Sequence, residues 1–99
     1  MLIVRLIGIQ GQEQIIAKID KIYLDIKDSI IGLIGTDGTK YIVKIPKRNV
    51  RKTYETMIDD LFVQRKTTIT CEGFEKITTT VKKEKYKHFY LEDGEWKER

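Results

Sequence analysis

The chain has 99 residues, 40% hydrophobic and 34% charged, with a formal net charge of +4, one Pro, seven Gly and a single Cys. That length holds one hydrophobic core and no second domain, and the composition excludes a disordered or low-complexity chain. Cys71 alone cannot form an internal disulfide, and with His88 as the one imidazole a structural zinc site and histidine-pair catalysis are both excluded.

Leu2 to Ile9 is apolar on both alternating faces except at Arg5, which reads as a strand buried on two sides or covered by a partner chain. The run is far shorter than the roughly 20 residues of a spanning helix and lacks the cleavage site of a secretory signal. No membrane contact and a cytoplasmic, intracellular location are therefore expected. Gly8 to Gln14 is the first loop. From there the apolar positions run Ile15, Ala17, Ile19 and then Ile22, Leu24, Ile26, so the alternation changes phase near Asp20 and Lys21. One extra residue flips every following side chain, and a β-bulge at that point keeps a single core face.

Asp28-Ser29 turns the chain into a strand over Ile30 to Thr36. Asp37-Gly38 then signals a two-residue type I′ hairpin, with Thr39 to Ile45 as the return strand and Tyr41, Val43 and Ile45 on one face. Pro46 ends that strand, and Asn49 is the expected N-cap of a helix over about Val50 to Gln64, where Val50, Tyr54, Met57, Ile58, Leu61 and Phe62 form an apolar stripe. Beyond it Thr67, Ile69 and Cys71 alternate with polar residues, Gly73 turns the chain, and Ile77, Thr79 and Val81 alternate again. Tyr86 to Leu91 has strand character, and Asp93-Gly94 folds Glu95 and Trp96 back against it.

The expected fold is α+β and mostly β: a curved antiparallel sheet or small OB-like barrel with one amphipathic helix, about residues 50–64, between two strand groups. The order of elements is similar to that of the five-stranded OB-type barrel, whose face commonly binds oligonucleotides. A small mixed β-sandwich with one helix fits the same order.

Charge is concentrated rather than spread. Residues 40 to 52 hold Lys40, Lys44, Lys47, Arg48, Arg51 and Lys52 with no carboxylate among them, more than the whole net excess. Four of these crowd the start of the expected helix, where the macrodipole already places partial positive charge, while Asp59 and Asp60 lie in its latter half. Helix stability alone favours the opposite arrangement, so a docked anion is the expected compensation, and phosphate is the natural one. A second basic stretch, Lys82, Lys83, Lys85 and Lys87, interleaves with Tyr86, His88 and Tyr90 on the other parity. Aromatic faces beside cations grip single-stranded nucleic acid by stacking. The bland alternatives are a solvated basic surface and aromatic rings packed into the core. Thr67, Thr68, Thr70, Thr78, Thr79 and Thr80 suit ordinary strand surface.

These patterns point to a small, basic, non-enzymatic module for single-stranded or duplex nucleic acid. Phosphate contacts come from Lys44, Lys47, Arg48, Arg51, Lys52, Lys82, Lys83, Lys85 and Lys87, and stacking from Tyr86, His88 and Tyr90, with no cofactor and no metal. The second class is a protein-interaction module, such as a homodimeric scaffold or a small viral or mobile-element inhibitor of a host complex. It would bind an acidic protein through the same cations or a second copy through Leu2 to Ile9, an apolar strand suited to edge pairing. A metal-independent ribonuclease using His88, or a magnesium nuclease using Asp59, Asp60, Glu72 and Glu75, lacks any diagnostic spacing. Gly32, Gly35 and Gly38 lie in a hairpin and form no phosphate loop.

Overall fold

The strands and the helix follow from alternation and capping, and tertiary pairing then arranges them in an order that periodicity does not reveal. The computed structural model describes residues 2–81 and 89–98. Its elements are β1 (Leu2–Gly8), β2 (Glu13–Asp25), β3 (Ile30–Gly35), β4 (Lys40–Lys44), α1 (Lys47–Ile58), a π-helical turn (Asp59–Val63), β5 (Thr68–Phe74), β6 (Lys76–Thr80), β7 (Phe89–Glu92) and β8 (Glu95–Glu98). The fold is α+β and mostly β. Strands β1 to β6 form one sheet in the order β5-β1-β2-β3-β4-β6, and β7 and β8 form a separate hairpin. Among the described residues no helix is long and apolar enough to cross a membrane.

The sheet is mixed, which corrects the antiparallel expectation. β1 pairs parallel with β5, with Val4 opposite Ile69 and Leu6 opposite Cys71, while every other ladder in it is antiparallel. β1 is thus an interior strand. Its two edges are occupied by β2 and β5, so the expected homodimer through edge pairing of Leu2 to Ile9 is not available. Only one side of β1 is fully buried: Val4 and Leu6 face the core, while Ile3 and Ile7 are half-buried and Arg5 is exposed.

Glu75 alone separates β5 from β6, yet the two strands lie at opposite ends of the strand order. Gly73, at φ 78°, bends the chain rather than reversing it. The Phe74 carbonyl accepts from Ile9 N–H beside β1, and Glu75 N–H donates to the Lys44 carbonyl at the end of β4. The two sheet edges therefore converge on these residues and the sheet curls. No ladder joins β5 to β6, so hydrogen bonding does not close it into a barrel. α1 packs against both β5 and β3 on the inner side. There Val4, Leu6, Ile31, Leu33, Val43, Ile45, Val50 and Met57 are fully buried, with Ile69, Cys71 and Phe74 completing the core.

β2 carries two extra residues rather than one. Val4 and Leu2 lie two apart but face Ile16 and Ile19, three apart, so an insertion sits at Ala17-Lys18, where Lys18 takes φ 62°. The second falls at Asp20, as the sequence pattern indicates, because Ile19 faces Gly35 while Lys21 faces Ile34. Two phase changes put Ile16, Ile19 and Ile22 on the inner side. Ile15, assigned by simple alternation to the core face, is instead 62% exposed.

The helix begins three residues before its expected start. Pro46 is the N-cap at φ −52°, and its carbonyl accepts from the N–H groups of Asn49 and Val50, so Asn49 sits inside the first turn and caps nothing. Proline explains the shift, because its fixed φ suits a helix start and its missing N–H removes one orphan donor. The α-helix ends at Ile58 and widens into the π-helical turn through Val63.

The Asp37-Gly38 hairpin is also not of the expected type. Gly35 N–H donates to the Thr39 carbonyl and Gly38 N–H to the Gly35 carbonyl, and only Gly38 has positive φ. The loop has three residues, a type I turn closed by a left-handed glycine. Asp37 stays at negative φ because its carboxylate accepts the Thr39 N–H at 2.9 Å. That bond, followed by one from the Thr39 hydroxyl, holds the Asp37 carboxyl below its ordinary range.

Candidate nucleic-acid interface

Alternation sets which side chains share the outer surface of β2, β3, β4 and β6, and the ladders align them in three rows. The first row is Lys21, Ile34, Lys40 and Thr80; the second is Tyr23, Gly32, Ile42 and Thr78; the third is Asp25, Ile30, Lys44 and Lys76. Neighbouring strands lie about 4.8 Å apart and same-face residues about 7 Å apart along a strand, so the rows form a surface a few nucleotides long.

Gly32 gives this surface its shape. A Cβ on Gly32 would lie 2.0 Å from the Tyr23 ring carbon Cζ, so the ring lies across the neighbouring strand in space that only glycine leaves open. The Lys40 ammonium sits 5.3 Å from the ring centroid, within cation–π range. The middle row is therefore a low, apolar platform of Tyr23 and Ile42, with cations on both flanks. Lys44 is the cation held in place, donating from Nζ to the Asp28 carbonyl. Among the described residues no carboxylate lies within 4.0 Å of the Lys21, Lys40 or Lys76 ammonium.

The remaining cations of the basic segment lie on α1, and all of Lys47, Arg48, Arg51 and Lys52 are exposed. At about 100° per residue they fall within an arc of about 140° on the side of α1 away from the buried Val50 and Met57, with Lys47 one turn from Arg51 and Arg48 one turn from Lys52. Lys52 lines a groove of about 560 Å³ beside Thr56, Asp60, Thr70 and Glu72. The first turn contains no acidic residue and no side chain caps it, so the helix start keeps its positive character. The sequence grouped these cations as one cluster. The fold divides them between the sheet surface, which carries Lys40 and Lys44, and the exposed arc of α1, which carries Lys47, Arg48, Arg51 and Lys52.

Lys82, Lys83, Lys85, Tyr86, Lys87 and His88 lie outside the described residues. Tyr90 belongs to β7, where its backbone pairs with Lys97. Among the described residues no three metal-ligating side chains come together, and Asp59, Asp60, Glu72 and Glu75 make no such group. Cys71 is buried, and desolvation pushes its thiol up to about 12, so it stays protonated and is no nucleophile.

Sequence reasoning missed Lys21, Tyr23, Gly32 and Lys76. The signal for Gly32 was an isolated glycine inside an Ile-rich strand, which marks a close approach by another group. The signal for the others was parity with Lys40, visible only once the ladder register is known. No protein-family model matches the chain, and no curated protein and no solved structure matches it either.

Proposed function

We propose that the protein binds single-stranded nucleic acid, with little sequence preference, on the outer surface of β2, β3, β4 and β6. Tyr23 is the stacking platform, Lys21, Lys40 and Lys76 contact phosphates, and Lys47 and Arg48 extend the track towards the start of α1. Lys82, Lys83, Lys85 and Lys87, with Tyr86, His88 and Tyr90, follow β6 in the sequence and are proposed to prolong it. The architecture that goes with this reading is OB-like, with a curled sheet whose outer strands take the ligand.

One observation carries the reading: an aromatic ring lies along the sheet over Gly32, on a surface where Lys21, Lys40 and Lys76 have no carboxylate within 4.0 Å among the described residues. A ring in that position offers its face to a base, and the lysines offer charge to the phosphates on either side. Tyr–Gly cross-strand packing also serves sheet stability, but that packing does not require the Lys40 ammonium 5.3 Å from the ring or the other lysines on the same surface.

The test is a titration of fluorescent oligothymidylate and of a duplex at several salt concentrations. The Lys40→Ala, Lys76→Ala double variant should bind the single strand roughly tenfold more weakly at low salt. The slope of log K against log salt should flatten by about 1 to 2, because each lost phosphate contact removes about 0.7 from a single-strand slope. An Arg48→Ala, Arg51→Ala double variant should lose less. Unchanged affinity in the sheet variant removes this assignment.

A further inference from the structure

β2 is longer than either of its neighbours. Its first half pairs with β1 only as far as Ile19, opposite Leu2, while its second half, Lys21 to Asp25, pairs with β3 alone. Among the described residues one side of that second half is an open edge inside an otherwise continuous sheet. The parity of the hydrogen bonds fixes which peptide groups face it. Gly35 N–H donates to the Thr39 carbonyl and Ile45 N–H to the Ser29 carbonyl, so odd-numbered residues of β3 turn towards β4. Ile30, Gly32 and Ile34 then turn towards β2, where they engage Asp25, Tyr23 and Lys21. The peptide groups of Ile22 and Leu24 are left pointing out of the sheet.

Beside this edge lies an apolar groove of about 380 Å³ whose lining includes Leu2, Ile22, Ile58, Leu61 and Phe62. Phe62 is 68% exposed although it is among the largest apolar side chains in the chain. An open strand edge next to an exposed aromatic and an apolar groove is a surface that natural sheets otherwise cover or blunt.

We propose that a second copy of this chain covers it, forming a two-fold dimer in which Lys21–Asp25 of the two protomers run antiparallel about a dyad at Tyr23. Three features select this occupant and this register. Ile22 falls opposite Leu24 of the partner subunit, and both have outward peptide groups, so each such pair exchanges two hydrogen bonds. Lys21 falls opposite Asp25 of the partner subunit and Asp25 opposite the partner's Lys21, so the dyad makes two complementary charge pairs. The partner's strand also covers the groove beside the edge, which Lys21, Tyr23 and Ile34 line from the outer face and Ile22 and Phe62 from the other. The dimer sheet runs continuously from one β3 through two copies of β2 to the other β3, with the two Tyr23 backbones facing each other at the dyad and each ring lying over Gly32 of its own protomer. This inference stands on the edge and its charges alone; in the dimer Lys21 is engaged by the partner's Asp25, which leaves Lys40 and Lys76 as the sheet cations open to phosphate.

Sedimentation equilibrium over a range of protein concentrations, without nucleic acid, tests it. The wild type should approach twice 11.7 kDa. Lys21→Asp places a carboxylate opposite the partner's Asp25, and Asp25→Lys places an ammonium opposite the partner's Lys21. Each single variant should dimerise at least about tenfold more weakly while keeping the wild-type circular dichroism. An equimolar mixture of the two variants should recover the association as a heterodimer, as should the double variant Lys21→Asp, Asp25→Lys with itself. A wild type that stays monomeric at every concentration overturns the proposal. So does a dimer that neither single substitution weakens, or two weakened variants that do not complement each other.

Discussion

On the part of the outer surface formed by β5, β1 and the start of β2, Arg5 meets Glu13 through two hydrogen bonds, at 2.6 and 3.0 Å. On the part formed by the rest of β2 with β3, β4 and β6, Lys21, Lys40 and Lys76 share the surface with Tyr23 and have no carboxylate partner among the described residues. The same alternation builds both parts, with aliphatic side chains such as Ile3, Ile7, Ile34 and Ile42 on each. They differ in how charge is handled. One part satisfies its cation internally with a bidentate pair, the geometry that makes arginine–carboxylate contacts specific. The other leaves its cations around an aromatic platform. The proposed binding is assigned to the part whose cations have no carboxylate partner among the described residues.

Gly32→Val should break the difference most strongly. The new side chain occupies the space of the Tyr23 ring and displaces it from the sheet, which removes the platform while leaving every lysine in place. Affinity for oligothymidylate should fall about tenfold, the order expected for one lost stacking contact, with the salt slope unchanged. Thermal melting should record a smaller cost, about 1 to 3 kcal/mol at most, since the ring can swing outward. A variant that binds normally would show that Tyr23 serves only to pack.

Glu13→Gln should sharpen the difference by making the neutral part resemble the cationic one. It frees Arg5, and if a bound strand extends beyond β2 the affinity should rise severalfold at low salt and the slope should steepen by about 0.7. If the strand is confined to the platform, binding should stay the same.

Acid should produce the smallest effect. The Arg5 hydrogen bond, and secondarily its charge, hold the Glu13 carboxyl below its ordinary range, and the Thr39 bonds do the same for Asp37. A carboxyl whose folded pKa is depressed stabilises the fold above its unfolded pKa, about 4 for these groups, and the contribution disappears as pH falls through the folded value. Melting temperature should therefore decline gently below about pH 4. Any gap between wild type and Glu13→Gln at neutral pH should close over the same interval. A gap that persists at low pH would show that the pair is not its source.

Much of this molecule was legible locally. The Asp93-Gly94 dipeptide makes the two-residue turn its sequence signals, with φ 51° and 77° at the two positions. Asp37-Gly38, the same dipeptide, does not, because its carboxylate finds Thr39 and keeps Asp37 at negative φ. Apolar alternation in Tyr41, Val43 and Ile45 located the inner side of β4, and the phase change at Asp20 located one bulge. The bulge at Ala17-Lys18 escaped because Ile15 and Ile16 are equally apolar, and only packing against Val4 and Leu6 chooses between them. The candidate site was half visible: the basic segment stood out in the sequence, but which cations share a surface with Tyr23 depends on the ladder register.

The sequence by itself determined the β-rich character, the approximate place of most strands, the presence of one helix after Pro46, the sites of the turn-forming dipeptides and the excess of positive charge. These depend on φ preferences, capping and side-chain period, which act over a few residues. Only the tertiary structure decided that β1 runs parallel to β5, that Thr68 to Thr80 crosses from one sheet edge to the other, and that Tyr23 lies on Gly32 beside Lys40. Those outcomes depend on which strands pair and in what register, and pairing is chosen by burial summed over residues far apart in the chain.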